Sequence, residues 1–153
     1  LLVGGGEDYP QLESMAGRLG LQEQVRFCGR VEPDKVPLYY RLADVCVDPV
    51  HDDAAARGRS PLKLFESWIS GTPFVSADVG ERESLLGDPP AGILAQAGDS
   101  DSLAQAIFQV LSERELADTL RRRGLERVQA YTWDRLAKQM EAIYQSVAGK
   151  QAG

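Results

Sequence analysis

The stretch Arg57–Ser67, RGRSPLKLFES, gathers the residues of this chain best suited to chemistry. Ser60 followed by Pro61 predicts a helix start. A serine side chain there accepts from a first-turn amide, and proline in the first position has no N–H to leave unpaired. Arg57, Arg59 and Lys63 then crowd positive charge onto the helix end that is already electropositive, where acids are the favoured residues. The arrangement costs stability unless an anion arrives from outside. The amides of Leu62 and Lys63 lack intrahelical acceptors, and such a pole flanked by cations suits phosphate. The competing possibility is a solvated loop with Lys63 paired to Glu66 at i,i+3, a weak surface interaction.

Glu66 extends the phosphate case. Leu62, Phe65 and Ile69 share one helical face, with Leu64 and Trp68 widening it, and Glu66 projects at its border on the Lys63 side. A carboxylate one turn inside a phosphate site can accept hydrogen bonds from a ribose diol, as acids do in dinucleotide folds. Other candidates are weaker. Gly4–Gly6 would need a further glycine where Tyr9 stands to form a dinucleotide fingerprint, so it reads as a tight turn. His51 is a lone loop histidine, expected to be solvated, and the adjacent acids Asp52 and Asp53 are a weak metal signal. No metal or cofactor is expected. Cys28 and Cys46 lie in apolar runs and read as buried free thiols of a reducing compartment. Trp133 and Tyr144 read as packing residues.

These side chains need a scaffold. Apolar runs at Leu1–Val3, Val25–Cys28, Val45–Val47, Phe74–Ala77 and Gly92–Ala95 predict strands. Helical spacing falls between them, at Pro10–Leu19, Asp34–Leu42, Pro61–Ser70 and Arg82–Leu86, while Val50–Arg59 reads as loop. From residue 99 to 148 the chain is a helical tail, with Leu103, Ile107, Val110 and Leu111 as one stripe. The expected fold is therefore α/β: a Rossmann-like parallel sheet of about five strands covered by helices on both faces. Ligands of such sheets sit beyond the carboxyl ends of the strands. Those ends lead into Gly4–Asp8, Gly29–Asp34, Asp48–Arg59 and Asp78–Glu83.

The totals agree with one soluble domain spanning residues 1–153. Hydrophobic residues are 43% and charged residues 26%, and the net charge of −6 argues against nucleic acid as a partner. The apolar runs are too short to cross a bilayer and no signal peptide is seen, so the expected location is cytoplasmic. The chain opens on LLVGGG without a starter methionine and reads as a segment of a longer protein.

Taken in order, GGGEDYPQLESMAGRLGL, VRFCGRV, VPLYYRLADVCVDP, SPLKLFESWISGTPFVSADVGERESLL, AGILAQAGDSDSLAQAI and YTW resemble the carboxyl-terminal half of glycosyltransferase family 4 enzymes, which have the GT-B fold. The resemblance covers essentially the whole chain, and KLFESWISGTPFVSADVG together with FCGRV is its most specific part. It implies a domain that binds a nucleoside diphosphate sugar for a retaining transferase. In that frame Glu66 holds the donor ribose, and Leu62 and Lys63, in the helix start opened by Ser60, meet the diphosphate. Arg30 and Val31 give backbone contacts to the base, and the loop through Gly58 and Arg59 faces the donor sugar. The resemblance assigns no catalytic residue and calls for no metal.

Three departures from the family pattern matter. Gly58 stands where many members carry a glutamate, eight residues before the ribose acid. The upstream Arg/Lys pair that neutralises the diphosphate is absent. So are the amino-terminal acceptor domain, through which peripheral membrane association would arise, and the first strand, which in the family lies between those at Leu1–Val3 and Val45–Val47. Gly58 also motivates an alternative, a non-catalytic or degenerate nucleotide-binding or interaction module.

Overall fold

Short apolar runs become the strands, and all of them pair in parallel. The computed structural model describes residues 1–150, with side chains through residue 148. The chain forms two compact units, Leu1–Leu42 and the remainder from Ala43. In the first unit, β1 (Leu2–Val3) lies beside β2 (Phe27–Gly29), with Leu2 opposite Phe27 and Val3 opposite Gly29. Helix α1 (Tyr9–Arg18) has Pro10 in its first turn. It stops where Gly20 turns left-handed at φ 68° and the Leu21 amide reaches back to the Ala16 carbonyl at 2.9 Å. The edge of the Tyr9 ring meets Phe27 at a centroid distance of 5.3 Å, tying α1 to β2. A 3-10 turn over Pro33–Lys35 leads into α2 (Val36–Leu42).

The second unit is built on β3 (Cys46–Asp48), β4 (Phe74–Ala77) and β5 (Ile93–Ala95), in that spatial order. Successive residues of a strand point to opposite faces, and the central strand β4 shows what each face buries. Phe74 packs with Leu64 and Trp68 of α4 (Leu62–Ile69), Leu85 and Leu86 of α5 (Arg82–Leu86), and Val128. Val75 packs on the other side with Ala106 and Val110 of α6 (Ser100–Ser112) and with Ala117 and Leu120 of α7 (Arg114–Val128). Helices therefore cover both faces, as expected for buried parallel strands. The five strands form two sheets, β1-β2 and β3-β4-β5, where the sequence suggested one. Apolar runs locate strands, but they do not say which strands hydrogen-bond.

Close approach of two helices explains one glycine. A Cβ on Gly124 of α7 would lie 2.4 Å from Cδ1 of Trp68 in α4, so only glycine lets these helices meet. Trp68 is 1% exposed and donates its indole N–H to the Ala91 carbonyl at 2.9 Å. Asp99 caps α6, its side chain accepting from the amides of Asp101 and Ser102.

Several local expectations are corrected. The loop Val50–Arg59 contains a short helix, α3 (Ala54–Arg57), because Asp53 caps it by accepting the Ala56 amide at 2.7 Å and alanines follow. Leu111 is exposed, while Leu103, Ile107 and Val110 pack inward. Trp133 and Tyr144, expected to pack, lie on α8 (Trp133–Lys150) at 86% and 68% exposure. With Leu136, Met140, Ile143 and Val147 they form an apolar stripe that repeats with helical spacing but faces outward. Cys28 and Cys46 are free thiols, half-buried rather than fully buried.

Candidate functional site

Helix α4 begins at residue 62, one position later than the sequence suggests, and Ser60 is not its cap. Pro61 holds that position with extended backbone, and its carbonyl accepts the Leu64 amide at 3.0 Å. Pro61 is buried while Ser60 is exposed, so packing of the proline ring decides where the helix starts. The amides of Leu62 and Lys63 belong to the first turn, which an α-helix leaves without internal acceptors. The buried face of α4 consists of Leu64, Ser67 and Trp68, with Phe65 beside them. Leu62 and Ile69, expected on that face, are 71% and 66% exposed. Glu66 shares their exposed side, one turn beyond Leu62.

The expected cluster of unpaired cations is only partly realised. Arg57 grips Asp52 with both arms of its guanidinium, Nε to Oδ1 at 2.5 Å and Nη2 to Oδ2 at 2.7 Å. That pairing, above all its hydrogen bond, holds the Asp52 carboxyl below its ordinary pKa. Lys63 reaches an acid outside its own helix. Its Nζ donates to Oδ1 of Asp48 at 3.0 Å, while the side chain stays 59% exposed. Arg59 is exposed and makes no ion pair among the described residues.

Asp48 is the residue that sequence inspection misses. It ends β3, is 3% exposed, and receives Arg82 Nη2 on Oδ2 at 2.9 Å. Arg82 is itself 1% exposed, with Nε on Ser76 Oγ at 2.9 Å and Nη1 on the Val79 carbonyl at 2.9 Å. Burial alone would raise the Asp48 pKa, but the hydrogen bonds from Arg82 and Lys63 outweigh it and hold the carboxyl below its ordinary value. A signal was present in the sequence: an acid ending an apolar strand needs a partner once buried. Arg82, a base at the start of α5, is misplaced by the same logic that drew attention to Lys63. Neighbouring Cys46 is kept protonated, since burial pushes its thiol up against the opposing hydrogen bond from Ser67.

The remaining candidates divide between the units. Gly58 closes α3 at φ −86°, its amide on the Ala54 carbonyl, with no side chain to offer a ligand. His51 is exposed, and Asp53 is used as the cap of α3. In the first unit, Arg30 is exposed and Val31 half-buried, both following the strand end at Gly29. Arg30 lies along the glycine turn, its Cγ 3.2 Å from where a Gly5 Cβ would sit. With Gly5, Gly6, Glu7, Tyr9, Pro10 and Gly29 it lines an open cavity of about 560 Å³. The turn read as merely tight is thus a wall of a pocket.

The parallel α/β layer carries a helix start and a tethered lysine at the carboxyl end of its strands, the place where ligands of such sheets sit. The description of one family, the glycosyl transferases group 1, matches residues 1–113, and the chain belongs to that family. The chain is 34% identical over 149 residues to a phosphatidyl-myo-inositol mannosyltransferase of Mycobacterium leprae, covering 97% of itself and 38% of that protein. It superposes on a sucrose-phosphate synthase of Thermosynechococcus elongatus with a TM-score of 0.82 and 29% identity, over 98% of this chain and 39% of that one. Anabaena HepE, solved with UDP-glucose, shares the fold at a TM-score of 0.75 and 24% identity, over 95% of this chain and 40% of that one. The chain thus spans less than half the length of these relatives, and the expected GT-B half-fold is observed.

Proposed function

We propose that this chain is the donor-binding half of a retaining glycosyltransferase that transfers a sugar from a nucleoside diphosphate sugar to an acceptor. The observation that carries this function is the start of α4 at the carboxyl end of β3, where exposed Lys63 is tethered and Glu66 follows one turn on. The names of the relatives, a mannosyltransferase and a structure holding UDP-glucose, support it. Leu62, Lys63 and the Ser60 segment meet the diphosphate, Glu66 the ribose, and Gly58 and Arg59 the sugar. The helix pole and Lys63 stabilise the departing nucleoside diphosphate electrostatically, which leaves no need for a metal. The acceptor, and any peripheral contact with a membrane, belong to a further domain of the intact cytoplasmic protein. Among the described residues no helix is long and apolar enough to cross a membrane.

The test is calorimetry on the intact protein with UDP, GDP, ADP and inorganic pyrophosphate. Glu66→Ala is expected to weaken the cognate nucleoside diphosphate by about tenfold or more, the size of a lost charged hydrogen bond, and to leave pyrophosphate unchanged. Equal losses for both ligands would remove the ribose role. Gly58 favours a second possibility, a domain that binds nucleotide without transferring sugar. Sugar transfer by the intact protein excludes that possibility.

A further inference from the structure

A buried ion pair is a poor device for stability, because desolvation offsets the attraction and apolar replacements often serve as well. The pair of Asp48 and Arg82 therefore calls for another role. All three donor arms of Arg82 are engaged: Nε on Ser76, Nη1 on the Val79 carbonyl and Nη2 on Asp48. Ser76 also donates towards the Asp48 carbonyl at 3.2 Å, across the β3-β4 register in which these two residues are opposite. The Asp48 carboxylate is fixed through Oδ2, so its other oxygen, Oδ1, has one direction available, and Lys63 Nζ lies there at 3.0 Å. The charges of Arg82 and Asp48 cancel in the interior. Lys63 keeps its positive charge on an exposed side chain beside the first turn of α4.

We propose that Asp48, locked by Arg82 and Ser76, is a positioning residue: it holds the Lys63 ammonium at the start of α4 so that its remaining protons present to a diphosphate. This rests on the donor-site function given above. A lysine is a point charge on a flexible stem, and tethering one N–H removes the freedom that anion binding would otherwise have to remove.

The two roles open to Asp48 predict effects of opposite sign. An acid 3.0 Å from Lys63 that served only to neutralise Arg82 would repel an incoming phosphate, and its removal would tighten binding. A positioning acid, when removed, weakens binding although negative charge has been taken away. The experiment is calorimetry of the intact protein with inorganic pyrophosphate, for wild type, Asp48→Asn, Lys63→Met and the double variant. Asp48→Asn is expected to weaken pyrophosphate about tenfold and to add nothing in the Lys63→Met background, the pattern of two groups acting as one. Unchanged or tighter binding, or the same loss without Lys63, overturns the proposal. Because Asp48→Asn leaves Arg82 buried and unpaired, Asp48→Leu with Arg82→Met removes both charges and keeps the interior apolar. It should show the same loss, and wild-type affinity in that variant likewise overturns the proposal. If the wild type binds neither pyrophosphate nor any nucleoside diphosphate, the donor site itself fails and this inference falls with it. Firm wild-type binding with no effect of Asp48 removes the positioning role alone.

Discussion

At the scale of single residues, Asp48 joins two properties that usually conflict: it is almost completely buried and it is charged. The hydrogen bonds from Arg82 and Lys63 depress its pKa in the folded state below the ordinary 3.8. A group of that kind stabilises the fold above its unfolded pKa and loses the contribution as pH falls through its folded one. Urea midpoints measured from about pH 6 down to pH 2 should therefore hold steady above the carboxylate range and decline below about pH 4. The decline should be shallower in the Asp48→Leu, Arg82→Met variant, which has no carboxyl to protonate there. Arg57 and Asp52 form a second pair, but an exposed one, and contribute little to this profile.

At the scale of elements, the contact of α4 with α7 is a close one, since the Trp68 ring occupies the space a side chain at position 124 would need. Gly124→Ala improves helix propensity but overpacks that contact. It should destabilise by about 1–3 kcal/mol, read as a lower urea midpoint at unchanged slope. Elements of this size were legible in the sequence wherever periodicity and terminators agreed. Phe74–Ala77 and Arg82–Leu86 appear with the expected bounds. What was hidden depended on contacts between elements. Ser60 looked like a cap, but burial of Pro61 shifted the start of α4. Leu62 and Ile69 looked like core residues, but the helix turned Leu64 and Trp68 inward. The lysine at the pole was legible, whereas its partner Asp48, fifteen positions upstream, was not, because only folding brings β3 beside α4.

At the scale of the whole molecule, burial is uneven. Within Leu1–Leu42 the one fully buried residue is Ala16, whereas the second unit encloses apolar clusters on both faces of β4. Local opening free energies follow such differences. In the 153-residue chain, amides of β1 and β2 should exchange with deuterium well before those of β4, as measured by mass spectrometry. Equal protection would mean that the two units open together. The chain also carries its own optical gauge. Its two tryptophans stand at opposite extremes, Trp68 sealed between helices and Trp133 almost entirely in water. Emission on the blue side reports the α4–α7 contact, and emission on the red side, quenchable by iodide, reports the outward face of α8. Loosening around Gly124 and covering of the outer stripe would thus appear as separate colours in one spectrum, with no label attached.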